Sequence, residues 1–312
     1  MAVHDLERGS EGEGVAVVIP CYNEEVAVAS VVSAFRRCLP RARIVVVDNA
    51  SLDATGARAR EAGAEVLRET RRGKGFALAT GFRAAAEADF VIMVDGDDTY
   101  PAEAAPLMLA RARDGADMVI GTRLEKHEKG AHRPGHALGN RFFIVLVRAL
   151  FGARTKDLFS GYRVLTRRFL ESSPLIARGF EVESELSLQA LAGAFRVDEV
   201  PVEYRPRPPD SFSKLRTYTD GYRILLALLT FFRDYRPLTF FGLLGLTLIA
   251  LALVAGGIVV FEYLKTHLVL RLPLAVLSVG LGILGGVSLI AGVMLSSINR
   301  RAMELASMMH RK

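Results

Sequence analysis

The sequence predicts an α/β fold: a mostly parallel sheet with helices on both faces, joined to a C-terminal two-helix transmembrane hairpin. Three observations lead there. Short, apolar, β-branched runs alternate with helical stretches through the first two-thirds of the 312 residues. Acidic residues stand where several of those runs end. From Pro237 onward, two long uncharged apolar runs dominate.

Val15–Ile19 is the first apolar run, followed by the loop Pro20–Glu25 and a helix to about Cys38. Arg43–Val47 is the second and ends in Asp48. Ser51 opens a helix with Asp53 in its first turn. Ala64–Leu67 is a short third strand, and Gly75–Glu87 is helical. Phe90–Val94 is the fourth strand and ends in Asp95; a helix over Pro101–Asp114 and a fifth strand over Asp117–Ile120 follow. Strands apolar on both faces and separated by helices pack as a parallel sheet between helical layers. Ligands of such sheets bind beyond the carboxyl ends of the strands. Asn23, Glu24, Asp48, Asp95 and Asp97 all fall there, which a random scatter of polar residues would not do.

Leu238–Phe261 and Leu272–Ile298 carry no charged residue. At about 1.5 Å per helical residue, each is long enough to cross a hydrocarbon core of roughly 30 Å. The connection Glu262–Arg271 is short, so the two form a hairpin. Arg233 and Arg236 precede it, and Arg300, Arg301, Arg311 and Lys312 follow it, against Lys265 and Arg271 in the connection. The positive-inside bias therefore places both termini and the soluble domain in the cytoplasm of an integral membrane protein. In Tyr218–Tyr235, residues Ile224, Leu225, Leu228, Leu229 and Phe232 recur at helical spacing, as in an amphipathic helix lying in the membrane interface. A helix packed on the soluble domain is the alternative.

The expected organisation is a disordered tail (1–14), a soluble domain (15–216), an interfacial helix (217–236), two spans (237–299) and a basic tail (300–312). The polar N-terminus has no apolar core of export-signal length. Cys21 and Cys38 make neither a disulfide framework nor a metal quartet, and read as reduced thiols. The net charge of +6, with basic residues gathered around 123–168 and 196–236, suits anionic lipid or a phosphorylated substrate. No long Lys/Arg block or zinc-finger spacing points to nucleic acid. Two spans per chain leave room for a homo-oligomer.

Val94-Asp95-Gly96-Asp97-Asp98 sets three carboxylates on a tight loop. Crowded carboxylates repel unless a cation sits between them. Hard oxygen ligands suit Mg²⁺ or Mn²⁺, usually shared with substrate phosphates. A solvated acidic turn is the bland alternative; the apolar strand ahead of it and the other acidic strand ends favour a metal. No G-x-x-x-x-G-K-[ST] occurs, and Gly73, Gly75 and Gly81 do not make the dinucleotide spacing, so kinase and dehydrogenase chemistry lack support. The six histidines show no H-x-x-x-H pairing. His127, His132 and His136 share one loop and read as surface positions.

The segments "VVIPCYNEE", "IVVVDNASLDAT", "VIMVDGDDTYP" and "DLFSGYRVLTRR" resemble the family 2 glycosyltransferases of the Rossmann-like GT-A fold. Within them the chain is similar to dolichyl-phosphate mannose synthases and to bacterial undecaprenyl-phosphate glucosyl- and N-acetylglucosaminyltransferases. The resemblance covers roughly Val15 to Leu215, and the C-terminal anchor fits some members of that branch. It implies that Pro20, Tyr22, Glu24 and Asp48 hold the nucleoside and that Asp95 and Asp97 ligate the metal. It places Asp157 at the reaction centre, followed by Ser160 and Arg163. Arg123 and Arg133 match the acceptor-phosphate arginines, and Arg207, Ser213 and Lys214 match an Arg…Gly-x-Ser-Lys segment. There the chain departs from the family, with Asp210 and Ser211 where a Gly is usual and one residue extra.

The chemistry expected is transfer of a hexose from UDP-glucose, UDP-N-acetylglucosamine or GDP-mannose to a polyprenyl phosphate, with inversion. A lipid phosphate, with a second pKa of about 6, is already an anionic nucleophile and needs no base. The site must instead bring two anions together, with Asp95 and Asp97 for a metal on one side and Arg123, Arg133, Arg207 and Lys214 for the second phosphate on the other. Lys74 in "RRGKG" touches the donor diphosphate or belongs to a solvated turn. Glu181 and Glu183 lie near the sugar or cap a helix start. Arg163, Arg167 and Arg168 have a helix-surface reading. The charged loop 125–140 reads as a lid over the acceptor. Three rival functions stand beside this one: a transferase acting on a saccharide or protein hydroxyl, a processive synthase, and a non-catalytic nucleotide-sugar-binding membrane protein. With no tryptophan and two spans, the chain lacks the Q-x-x-R-W signature and the channel of a processive synthase.

Overall fold

The computed structural model describes residues 12–123, 157–208 except 176 and 180, 226, and 229–309. In chain order come β1 (Val15–Cys21), α1 (Val28–Cys38), β2 (Arg43–Asp48), α2 (Thr55–Glu61), β3 (Glu65–Arg68), α3 (Lys74–Ala84) and β4 (Phe90–Met93). A 3₁₀ turn (Ala102–Ala104), α4 (Ala105–Arg113), β5 (Met118–Arg123), β6 (Arg163–Thr166), α5 (Arg167–Ser172), α6 (Val182–Ala192) and β7 (Val197–Val202) follow. The last two helices are α7 (Pro237–Thr266) and α8 (Leu272–Met309). The chain divides into two compact units, Met1–Ala227 and Leu228–Lys312.

The first unit is built on a seven-stranded sheet of order β3-β2-β1-β4-β6-β5-β7. All pairings are parallel except those of β6, which runs against both β4 and β5. Alternation along β1 sends Val15, Val17 and Ile19 to one face, where Val28, Val32 and Phe35 of α1 and Met108 and Leu109 of α4 cover them. Ala16 and Val18 face the other side, under Leu78 and Phe82 of α3 and Leu186 of α6. The two helical layers expected from the apolar strands are both present.

Several boundaries move from the sequence-based expectation, each for a local reason. Pro20 lies inside β1 rather than in a loop, in register with Val47. β4 pairs with β1 only as far as Val18, so the proline stands where that side of the strand has no ladder to break. The second helix starts at Thr55, not Ser51. Ala50 takes φ 56°, and Asp48 Oδ1 accepts a hydrogen bond from Ser51 N at 3.0 Å, which turns 49–54 into a loop. The fifth strand runs on to Arg123 because Gly121, Thr122 and Arg123 pair with Val200, Pro201 and Val202 of β7. Strand β6 was not expected: its four residues follow a loop and lead straight into a helix, too short for a periodic signal.

In the second unit, α7 and α8 are each long and apolar enough to cross a membrane. His267, at φ 57°, ends α7 and donates its N–H to Tyr263 O at 2.7 Å. The helices pack closely through glycine. A Cβ on Gly245 would lie 2.8 Å from Gly285 O, and one on Gly285 would lie 2.7 Å from Ile249 Cγ1. Ser288 Oγ adds a hydrogen bond across the pair, to Phe241 O at 3.0 Å. Of the stretch Tyr218–Tyr235, residues 226 and 229–235 are helical. Ile224, Leu225 and Leu228 lie outside the described residues.

Candidate functional site

Six strands end at one edge of the sheet and β6 begins there, so a parallel topology with one reversed strand collects distant polar residues. The loops after β1 and β2 clasp each other. Glu24 N donates to Thr55 Oγ1 at 2.8 Å, Leu52 N to Asn23 Oδ1 at 2.8 Å, and Ala54 N to Glu25 Oε2 at 3.0 Å. Asn23 adopts φ 52° to make this turn, a conformation asparagine tolerates better than most residues. Pro20, Tyr22, Glu24 and Asp48 are thereby gathered at the ends of β1 and β2. Tyr22 lies under the Arg72 guanidinium, 4.9 Å from its ring centroid. Buried Asn49 braces the next loop: its amide donates to Arg71 O at 2.7 Å and its Oδ1 accepts from Gly73 N at 2.8 Å. That loop delivers Lys74 to the start of α3.

The acidic loop after β4 splits. Asp98, at φ 60°, turns away to α1 and accepts from Ser30 Oγ at 2.8 Å. Asp95 and Asp97 remain at the edge. Lys74 Nζ donates to Asp95 Oδ1 at 2.5 Å and also to Glu183 Oε1. Arg207 Nη2 pairs with Asp97 Oδ2 at 2.6 Å, and Thr99 Oγ1 donates to Asp97 Oδ1 at 2.6 Å. Lys74 is thus a buried ion-pair residue, and the solvated-turn alternative is excluded. Burial works against its ammonium, but Asp95 and Glu183 outweigh burial and hold its pKa above the ordinary value. Burial, then the charge of Asp95, raises the pKa of Asp97. Burial likewise raises that of Glu183, with Lys74 opposing.

Gly161 lies directly against Asp95: a Cβ there would fall 2.2 Å from Asp95 Oδ2. Its N–H donates to Tyr100 Oη at 3.1 Å, which fixes the "SGYR" loop beneath the acidic one. Asp157 precedes that loop and is buried. It accepts from Arg123 Nε at 2.7 Å, from Arg123 Nη2 at 2.8 Å, from Arg123 N at 3.4 Å and from Phe159 N at 3.1 Å. The Arg123 guanidinium also lies over the Tyr204 ring, 5.5 Å from its centroid. Asp157 is thus neutralised by Arg123 rather than standing as a free carboxylate.

Arg163 is not a surface charge. It is wholly buried in β6, with Nε on Ser160 O at 3.0 Å, Nη2 on Leu158 O at 2.8 Å and Nη1 on Ser187 Oγ at 2.8 Å. It ties the Asp157–Gly161 loop to α6. Arg168 is an exposed charge, as expected, near Asp117, whereas Arg167 is half-buried: it pairs with Asp89 and donates to Ala88 O at 3.2 Å and to Glu87 O. Glu181 and Glu183 separate in role. Glu181 Oε1 accepts from Gly179 N at 3.0 Å and closes the turn before α6, whereas Glu183 points into the ionic cluster. Arg133, Ser213, Lys214, His127, His132, His136 and the loop 125–140 lie outside the described residues.

Among the described residues, no group of three or more His, Cys, Asp or Glu side chains converges as a metal cage. Asp95 and Asp97 nevertheless fit a hard divalent cation. They are two carboxylates at one strand end, and burial and mutual repulsion disfavour charge on Asp97, a cost that a cation relieves. The remaining oxygens of such a site come from substrate phosphate and water.

The profile of the family described as "Glycosyl transferase family 2" matches residues 16–172. The glycosyltransferase AglJ of Haloferax volcanii is 32% identical over 286 residues, covering 92% of this chain and 93% of the relative. A protein of the same organism named dolichyl-phosphate hexose transferase is 33% identical over 213 residues, covering 68% of this chain and 91% of the relative. Among solved structures, glucosyl-3-phosphoglycerate synthase from Mycobacterium tuberculosis, in complex with Mn²⁺, UDP and phosphoglyceric acid, superposes with a TM-score of 0.58. It is 22% identical and the match covers 73% of this chain and 80% of that one, a likeness of fold.

Proposed function

The chain belongs to glycosyl transferase family 2, and on that premise we propose that it transfers a hexose from a nucleotide-sugar to a polyprenyl phosphate, inverting the anomeric carbon. The observation that carries this reading is the division of charge at the sheet edge. Asp95 and Asp97, with Lys74 and Arg207 beside them, form one pole; Arg123, held by Asp157, forms a second. A site that joins two phosphorylated substrates needs two such poles. The apolar pair α7 and α8 supports a lipid acceptor, as does the relative named dolichyl-phosphate hexose transferase.

In this reading Pro20, Tyr22, Glu24 and Asp48 line the nucleoside pocket. Asp95 and Asp97 hold Mg²⁺ or Mn²⁺, which supplies neutralisation of the charge developing on the departing diphosphate. Lys74 binds the donor diphosphate, and the pairing of Arg207 with Asp97 favours the donor diphosphate for Arg207 over the acceptor phosphate expected from the sequence. Arg123 orients the acceptor phosphate, and Arg133, Ser213 and Lys214 complete its binding. The acceptor oxygen is already anionic, so no side chain removes a proton before attack. The soluble unit lies on the cytoplasmic side, where nucleotide-sugars are found.

The test is incubation of the detergent-purified protein with Mg²⁺ or Mn²⁺, a short polyprenyl phosphate and each of the three nucleotide-sugars, with the glycosylated lipid detected by mass. One donor yields product, and Asp97→Ala abolishes it. Transfer to a saccharide hydroxyl with none to lipid phosphate would overturn the acceptor assignment.

A further inference from the structure

Both carboxylates offered to a divalent cation already face a basic side chain, Asp95 that of Lys74 and Asp97 that of Arg207. A cation binding there competes with those two partners, since like charges around one carboxylate repel. The two partners differ in where they can go. Arg207 follows β7, and its side chain is 28% exposed, so it can turn towards solvent or a substrate phosphate. The Lys74 side chain is 11% exposed. An ammonium displaced at that depth needs another acceptor in place, because an unpaired buried charge is strongly unfavourable.

Glu183 is that acceptor. It sits in the first turn of α6, its side chain is 5% exposed, and its Oε1 already takes a hydrogen bond from Lys74. Its second oxygen, Oε2, is buried and has no hydrogen-bond partner among the described residues. A buried carboxylate oxygen left without a donor is costly, and a lysine ammonium has three donors to give.

We propose that Glu183 is a positioning residue that takes over Lys74 from Asp95 when a divalent cation binds. Lys74 then keeps its charge at the site edge, paired with Glu183, and Asp95 keeps its own charge for the cation. The inference rests on the reading of Asp95 and Asp97 as cation ligands. It has a consequence that a purely structural role lacks. Without the Glu183 carboxylate, Lys74 has Asp95 as its remaining partner in this cluster, and it competes harder with the cation.

The test is Mn²⁺ binding to the detergent-purified full chain without substrates, read from the electron paramagnetic resonance of unbound Mn²⁺. Glu183→Gln is expected to weaken Mn²⁺ binding on the order of tenfold. Arg207→Gln, which removes a competitor, is expected to tighten it several-fold. Glu183→Asp keeps the charge and is expected to recover most of the lost affinity, which also serves should the glutamine variant fold poorly. Affinity in Glu183→Gln equal to or above that of the unsubstituted protein overturns the proposal. So does an equal loss in the aspartate and glutamine variants. If the unsubstituted protein binds Mn²⁺ and Asp97→Ala does not, the cation site stands and such a result counts against Glu183 alone. No Mn²⁺ binding by the unsubstituted protein overturns both readings.

Discussion

Arg123 and Asp157 are locked together at two points, Nε to Oδ2 at 2.7 Å and Nη2 to Oδ1 at 2.8 Å. The two residues lie 34 positions apart, at the end of β5 and just before β6, and the antiparallel pairing of those strands brings them together. The fork occupies Nε and Nη2 and fixes the plane of the guanidinium; in the proposed function Nη1 is the donor turned to the acceptor phosphate.

Replacing Asp157 by Asn is expected to loosen that plane without emptying the space. Hydrogen bonds to a charged group are worth about 1.5–3 kcal/mol each. The loss of one corresponds to a rise of about 10- to 100-fold in the KM for the acceptor, with donor affinity little changed. Arg123→Lys cannot form the fork and is expected to match Asp157→Asn in steady-state kinetics with varied lipid phosphate.

Gly161→Ala carries a different signature. The new Cβ would meet Asp95 Oδ2 at 2.2 Å, closer than any real contact, so the carboxylate or the loop must shift. A displacement of about 1 Å at such a centre costs on the order of 100-fold in rate. Metal-dependent nucleotide binding, followed by calorimetry, is expected to fall while the melting temperature moves little. Unchanged binding would show that Asp95 does not need its present position.

Glu69 provides a pH-dependent contribution outside the reaction centre. Side-chain and backbone hydrogen bonds from Arg71, and one from Thr80, lower its pKa from 4.5 to about 2. A depressed carboxylate pKa stabilises the fold above the unfolded value near 4.5, and that stability is lost as pH falls towards 2. Glu69→Gln is therefore expected to lower the melting temperature at pH 7, by an amount reflecting about 1–3 kcal/mol. The gap from the unsubstituted protein should close on acidification. A gap that stays constant with pH would mean that the carboxylate charge is not what Arg71 and Thr80 hold.

The helical hairpin offers adjacent glycines with opposite expectations. A Cβ on Gly285 would press on Ile249 Cγ1 at 2.7 Å, whereas one on Gly286 meets nothing within 4 Å. Gly285→Leu is expected to destabilise the α7–α8 pair by about 1–3 kcal/mol, the usual cost of overpacking. Gly286→Leu is expected to be neutral. Thermal unfolding of the helical signal in detergent distinguishes them.

Much of this was legible in one dimension. Five parallel strands, their acidic ends and the two apolar runs follow from hydrophobic pattern and length, which are local properties of the chain. Asn23, Glu24, Asp48, Asp95 and Asp97 could be named because they end or follow a strand, and the sheet rule then sets their edge, whereas Tyr22 came only from the family resemblance. What local pattern carried poorly was the partner of each charge. Lys74 and Glu183 are 109 residues apart, and no spacing rule connects them. α6 is buried nearly all round, so its glutamates show no periodic contrast with their neighbours. Arg163 precedes "VLT" and reads as a helix-surface charge until β6 is placed between β4 and β5.

The sequence by itself determined the fold class, the family and the carboxylates at the strand ends, because periodicity, turn chemistry and motif spacing are encoded over a few neighbouring residues. The tertiary structure alone decided that Asp98 leaves the acidic cluster, that Asp157 pairs with Arg123, and that Lys74 is shared between Asp95 and Glu183. Each of these depends on which buried charges are forced to meet. In a low-dielectric interior a charge must find its counter-ion wherever the topology puts it, and topology is a property of the whole sheet rather than of any one segment.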